Sequence, residues 1–313
     1  MGKYWKRPGN YFFLVPWIAF LPWYGMLITM LICWAAQGHP IYWFMDSEQF
    51  PVFISDIGAT NLRPLFIACG GWQGLGYVIT LCLELFQRNQ GMMNPWFTKD
   101  ERNLIISSII LGIIGELGLL FCTIFSTAKY HHVHISMLVI FIVFMFFSLV
   151  CLTTHYYLMG FHYTILRRRN IGRDPITNTE FSKSDGHWNK FLISAIFKTL
   201  WIVGAVVWAI AFATLQDDSK SAKFEWLLAF WFGVIFIIIS VDFYLGSQWK
   251  TSNHFPYLDN YGTYYKFQQY KEKHAELYHV SSDVSSRSES STLTPGRYPT
   301  IPTVQSSAIA INA

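Results

Sequence analysis

Residues 104–125 read Leu-Ile-Ile-Ser-Ser-Ile-Ile-Leu-Gly-Ile-Ile-Gly-Glu-Leu-Gly-Leu-Leu-Phe-Cys-Thr-Ile-Phe, with a single charged side chain, Glu116. About 20 mainly apolar residues are enough to cross the hydrocarbon of a bilayer as a helix. Because lipid offers no partner to a free backbone N–H or C=O, such a stretch has to be helical. Its apolar residues run continuously instead of alternating, which excludes a transmembrane β-barrel. This stretch therefore predicts a membrane-spanning α-helix.

Five further stretches have the same character, and the composition of the whole chain agrees with them. Of the 313 residues, 52% are hydrophobic and 13% are charged, whereas about 25% of the residues of a soluble domain are charged. We therefore expect an all-α polytopic membrane protein in which residues 11–247 form a six-helix transmembrane domain. The predicted spans lie at about residues 11–33, 62–86, 104–125, 135–159, 191–215 and 224–245.

The distribution of Lys and Arg predicts the orientation. The termini and connections on one side of the predicted spans carry eighteen of these residues, and the connections on the other side carry four. The positive-inside rule then makes residues 1–10 a cytoplasmic N-terminus and residues 248–313 a cytoplasmic tail, with a non-cytoplasmic first loop at about 35–61. The tail becomes rich in Ser and Thr, so we expect disorder from about residue 281. The net charge of +4 is a topological signal, and no nucleic-acid partner is expected.

The first loop contains a distinctive segment, Ile54-Ser55-Asp56-Ile57-Gly58. The side chains of Ser55 and Asp56 can hydrogen-bond the loop backbone, and Gly58 can supply a positive φ. The segment therefore predicts a rigid turn, which is compatible with a binding edge displayed by that turn.

Several motifs in the spans accompany this loop segment. They are Pro64 to Cys69, Thr98 to Asn103, Gly115 and Gly118 on either side of Glu116, His134, Glu225 to Phe230, and Asp242-Phe243. Together with the loop segment they resemble the Frag/DRAM/Sfk family of six-span membrane proteins, and in particular its fungal suppressor-of-four-kinase-like branch. The resemblance covers about residues 10–247.

The resemblance implies a non-enzymatic adaptor in the plasma membrane. Such a protein recruits or stabilises a phosphatidylinositol 4-kinase complex and influences phospholipid distribution, so membrane lipids and that kinase complex are the expected partners. One alternative is an enzyme or accessory factor in the lipid remodelling of glycosylphosphatidylinositol anchors, and another is a lipid transporter. Because the family is spread over several membranes, the vacuole or lysosome and the ER or Golgi are alternative locations.

Four ionisable residues, which we call the candidate outer cluster, are expected near the non-cytoplasmic side: Arg63, Glu116, His134 and Glu225. A carboxylate within a span costs about 2.5–3.5 kcal/mol, so Glu116 needs a partner or water. The cluster is interpreted as a structural ion pair or a protonated, hydrogen-bonded Glu116, or else as a contact for a lipid headgroup or a sterol. A metal-dependent hydrolase built on Glu116, His134, His131 and His132 is a weaker alternative, since the spacing of a helical ligand pair is missing. We expect no metal, no cofactor and no catalytic residue.

A second set of ionisable residues is expected near the cytoplasmic side: Glu84, His155, His162, Lys198 and Asp242. They are interpreted mostly as interfacial anchors, with Lys198 extending towards the headgroups.

The fourth connection contains Arg167, Arg168, Arg169 and Arg173. This run is a topological signal, and it could also attract anionic lipid by about 1 kcal/mol per basic residue.

Overall fold

The computed structural model describes residues 11–45, 48–169 and 188–247. A short 3-10 turn at Tyr11–Leu14 leads into the first helix. The helices are α1 (Val15–Ala36), α2 (Ile54–Gly58), α3 (Arg63–Asn89), α4 (Lys99–Ile124), α5 (Thr127–Arg169), α6 (Lys190–Thr214) and α7 (Asp218–Ser247). All of these except α2 are long and apolar enough to cross a membrane, so the all-α class and the six spans are confirmed. The predictions for residues 1–10 and 248–313, including disorder from residue 281, lie outside the described residues.

The spans pack in a closed ring in the order α1, α3, α4, α5, α6, α7 and back to α1. The short helix α2 lies in the connection between α1 and α3 and also contacts α5 and α7. We call the end of the bundle at which α2 lies the α2 end. The charge distribution predicts that this end is non-cytoplasmic, and the orientation stays a prediction.

Indole N–H groups provide hydrogen-bond partners for backbone carbonyls of neighbouring spans. Pro22 lacks an N–H, so the carbonyl of Ile18, four residues earlier in α1, has no intrahelical partner. The indole of Trp72 on α3 donates to that carbonyl at 3.0 Å. Between α6 and α7, the indoles of Trp201 and Trp231 each donate to the backbone carbonyl of the other, at 2.8 and 2.9 Å. These contacts fasten α1 to α3 and α6 to α7 where water is scarce.

The pair α4 and α5 packs closely because small residues face the partner helix. A Cβ on Gly118 would lie 2.9 Å from the backbone nitrogen of Phe141 and 3.0 Å from the carbonyl oxygen of Met137. Further along, the hydroxyls of Ser108 and Ser148 each donate to the backbone carbonyl of the other, at 2.8 and 2.7 Å. Small residues and serine hydroxyls are the usual means of packing helices in membranes.

At the end of the bundle opposite α2, ionisable residues form a buried network. The Arg88 side chain is 1% exposed and donates to Glu84 at 2.7 and 3.0 Å and to the carbonyl of Asn94 at 2.9 Å. The Nε2 atom of His155 lies 3.3 Å from Glu84 Oε1. The guanidinium also lies 5.3 Å from the centre of the Trp96 ring. Arg88 is therefore an internal residue, although the sequence analysis counted it among the eighteen basic residues of the termini and connections on the predicted cytoplasmic side.

Lys198 belongs to a second buried ion pair. Its Nζ contacts the carboxylate of Asp242 on α7 and lies 3.5 Å from the centre of the Tyr156 ring, and the Ser194 hydroxyl donates to the same carboxylate at 2.9 Å. Because the ammonium group is buried and paired, the expectation that Lys198 extends to the headgroups was wrong. The fifth residue of the set, His162, contacts Glu101 at 2.6 Å. The set expected to anchor the surface instead fastens α3, α4, α5, α6 and α7 together.

A double-mutant cycle checks the Lys198–Asp242 pair. Each single change, Lys198→Met or Asp242→Leu, leaves one buried charge without its counter-ion, so we expect a loss of about 3–5 kcal/mol. The double variant removes both charges together and should recover most of that stability. Thermal unfolding of the purified protein in detergent measures the effect. Losses that add up in the double variant would contradict a direct pair.

Candidate functional site

The short helix α2 is held in place by two consecutive residues of α7. The carboxylate of Glu225 accepts a hydrogen bond from the backbone N–H of Ile54 at 2.7 Å, and Ser55 interacts with it through its backbone and its side chain. A carboxylate at this position satisfies free N–H groups at the start of a helix. The indole of Trp226 donates to the carbonyl of Val52 at 2.9 Å, just before the helix. Glu225 and Trp226 thus fix the loop segment against α7.

Gly58 is the last residue of α2 and has a helical backbone. Among the described residues, positive φ values occur at Gly38, His39 and Gly91, so the expected left-handed Gly58 was wrong. The reason for a glycine here is space, because a Cβ would lie 2.4 Å from Cδ1 of Phe66 on α3. The loop segment is therefore a helical turn packed on α3.

Asp56 lies in the same turn and is 8% exposed. Burial and the nearby Asp218 carboxylate raise its pKa to about 6, while a hydrogen bond with the Phe53 backbone acts in the opposite direction. Its carboxyl group therefore titrates closer to neutral pH than an exposed aspartate.

Two residues of the candidate outer cluster cap the C-terminus of α4. Arg63 donates to the carbonyl of Ile124 at 2.6 Å. The Nδ1 atom of His134 lies 2.9 Å from the carbonyls of both Cys122 and Phe125. Since Nδ1 must carry the hydrogen to donate to these carbonyls, Nε2 is the acceptor nitrogen of this ring. Donors and positive groups at this position stabilise a helix end.

Glu116 is not paired with Arg63. Its carboxyl group accepts from the side-chain amide of Gln73 on α3 at 3.1 Å, and it is 5% exposed. His131 and His132 are exposed, so the residues of the metal-site hypothesis are not brought together. In the described part of the chain, no group of three or more His, Cys, Asp and Glu is placed to hold a metal ion.

A cavity of about 600 Å³ lies between α5, α6 and α7. At the α2 end it is lined by four polar or polarisable side chains, those of Ser55, Cys122, His134 and Glu225. The rest of the lining is apolar, and no Lys or Arg contributes to it among the described residues. The cavity joins the loop segment to half of the candidate outer cluster, and Arg63 and Glu116 do not line it. Most of its lining was missed in the sequence, because an apolar side chain in a span gives no sign of which neighbour it faces.

The extent of the known domain decides the family. The Frag1/DRAM/Sfk1/Cwh43P N-terminal domain matches residues 11–246, which include all six spans and α2. The chain belongs to this family. It is 53% identical to Protein SFK1 of Saccharomyces cerevisiae over 89% of this chain and 90% of that relative. It is 26% identical to Protein sfk1 of Schizosaccharomyces pombe over 76% of this chain and 66% of that relative. No solved structure matches the chain.

The family and its fungal Sfk branch, predicted from the loop segment and its accompanying motifs, are thereby confirmed. The proposed contact with anionic lipid stays a prediction. Arg167, Arg168 and Arg169 end α5 with side chains outside the described set, and Arg173 lies in the stretch 170–187, which is also outside it.

The close contact at Gly58 gives a prediction for stability. Gly58→Ala should lower the melting temperature of the purified protein, because the Phe66 ring has to move away from the new methyl group. Phe66→Leu in the same chain should restore part of the loss by making room. Gly25→Ala is the matched control, since a Cβ there meets nothing within 4 Å. Equal melting temperatures for the Gly58 and Gly25 variants would show that the contact does not constrain the fold.

Proposed function

We propose that this multi-pass membrane protein is a non-enzymatic regulator of the plasma membrane that holds a lipid between its spans. Through its cytoplasmic segments it recruits or stabilises a phosphatidylinositol 4-kinase complex, and in this way it influences phospholipid distribution. The observation that supports lipid binding is the apolar cavity with a polar end under α2. Membership of the family and the close relationship to Protein SFK1 support the rest of the proposal.

The roles of the polar residues favour a regulator over an enzyme. Glu225 is engaged by the N–H of Ile54, and the donor nitrogen of His134 is engaged by two carbonyls of α4. These side chains stabilise helix ends. This structural role accounts for their presence, so no catalytic role is needed to explain them.

One observation favours a second candidate, an enzyme of anchor-lipid remodelling. The Cys122 thiol and the His134 imidazole both line the cavity, and Sγ lies 3.5 Å from each ring nitrogen. A thiol beside an imidazole is the arrangement of a nucleophile and its base. However, a sulfur atom equally distant from Nδ1 and Nε2 is not in line with the lone pair of Nε2. The geometry therefore fits packing better than proton transfer.

Replacing the thiol separates the two candidates. We expect Cys122→Ala to restore normal growth and lipid distribution in cells that lack the protein, because the regulator needs no thiol chemistry. Cys151→Ala, whose side chain does not line the cavity, is the control. Complete loss of function in the Cys122 variant alone, with normal amounts of folded protein, would favour the enzyme.

The proposed recruitment of the phosphatidylinositol 4-kinase complex is tested by imaging. In cells without the protein, we expect less phosphatidylinositol 4-kinase and less phosphatidylinositol 4-phosphate at the cell surface, and the full chain should restore both. A chain that lacks residues 255–313 should insert normally but restore the kinase less well if the tail docks the complex. If cells without the protein keep the same amount of kinase at the cell surface, the proposed regulatory function is contradicted.

A further inference from the structure

The cavity lies beyond the end at which α5 and α6 pack directly against each other. At the end opposite α2, a Cβ on Gly160 would lie 2.6 Å from Leu192, and the hydroxyls of Tyr157 and Thr199 hydrogen-bond at 3.2 Å. Towards the α2 end, residues of α5 and α6 form walls of the cavity. The two helices therefore enclose a wedge that widens towards α2.

The wedge opens towards the bilayer. Phe146 and Phe147 on α5 line the cavity and are also 37% and 50% exposed, and Ile210 on α6 lines it and is 57% exposed. A side chain that lines a cavity and is also exposed marks the rim of its opening. Because these residues lie within predicted spans, the surroundings at that rim are lipid tails.

The length of the wedge matches one leaflet. Along α5 the lining runs from His134 to Leu149, which is about 22 Å at 1.5 Å per residue. Because this length includes the polar end under α2, it compares with half of a bilayer including its headgroup region, which is about 20–22 Å thick. An occupant that enters from the side is therefore a lipid of the leaflet on the α2 side, with its head under α2 and its tail along α5 and α6.

The polar end of the wedge determines which kind of lipid headgroup can bind there. Ser55, Glu225 and the acceptor nitrogen of His134 present hydrogen-bond acceptors there. No cation lines the cavity among the described residues, so a phosphate group would be buried beside a carboxyl group without a counter-ion, which is costly. A neutral hydroxyl, in contrast, can donate to any of these acceptors.

We propose that the cavity is a binding site for a neutral membrane lipid whose head is a hydroxyl group. The lipid enters from the side between α5 and α6, and its hydroxyl donates to Ser55 or Glu225 beneath α2. This inference rests on the lipid-holding part of the proposed function and specifies its ligand.

Photolabelling of the full chain in phosphatidylcholine vesicles tests the site. The probes are photoreactive, clickable analogues of cholesterol, of diacylglycerol and of phosphatidylserine. We expect one of the two neutral probes to label peptides of α5 or α6. An excess of the corresponding unlabelled lipid should compete with this labelling. Ala209→Trp fills the cavity from α6 and should reduce labelling about tenfold. Val207→Trp on the same helix does not line the cavity and is 55% exposed, so it is the matched control.

The head contact is tested separately with Ser55→Ala, which removes an acceptor and should reduce labelling by the neutral probe about fivefold. Labelling by phosphatidylserine alone would overturn the assignment of a neutral head while leaving lipid binding intact. Equal labelling of the two tryptophan variants, or no labelling of α5 and α6 by any probe, would overturn the site. Photolabelling in vesicles tests lipid binding, whereas imaging in cells tests kinase recruitment. A negative result for the lipid site can therefore be distinguished from a negative result for the regulatory function.

Discussion

Backbone groups at the end of a helix need partners, and in this bundle ionisable and polar side chains supply them. Glu225 receives the N–H groups at the start of α2, while Arg63 and His134 donate to carbonyls at the end of α4. Asn189 accepts from two N–H groups at the start of α6, both at 3.1 Å. An unsatisfied buried backbone group costs several kcal/mol in lipid. Polar residues near the span ends are therefore explained by this constraint. A shared catalytic role is not needed to explain them.

The parts of the structure that depend on local sequence were predictable, and the parts that depend on helix rotation were not. Long apolar stretches are recognisable one at a time, which is why the six spans were found. The partners of Glu116 and Lys198 depend on which face of α4 or α6 turns inwards, and nearly uniform apolar spans give little indication of that face. Arg63, at the start of the neighbouring span, was a plausible ion-pair partner for Glu116, but Gln73 faces Glu116 across the α3–α4 contact.

The same limitation explains the loop segment. Its composition indicated a defined local structure, and a turn with a left-handed glycine was a reasonable expectation from the residue type. A residue without a Cβ is required at position 58 because α2 packs on the first turn of α3, where Phe66, eight positions later, leaves no space for one. Glu225 is even more distant in sequence, 171 residues from Ile54, so its capping role required the tertiary structure. The two motifs of the family resemblance, in the first loop and in the last span, prove to be one structural unit.

The buried pair between α6 and α7 also has a consequence for how the protein is made. Lys198 is synthesised 44 residues before Asp242, so the nascent α6 reaches the translocon before the carboxylate that pairs with its ammonium group. An unpaired lysine costs about 2.5–3.5 kcal/mol at the centre of a lone inserting helix and less towards its ends. The connection between α6 and α7 is short, and the hairpin that the two helices form brings the Asp242 carboxylate to that charge. We therefore expect the emergence of α7 to favour the co-translational release of α6 into lipid.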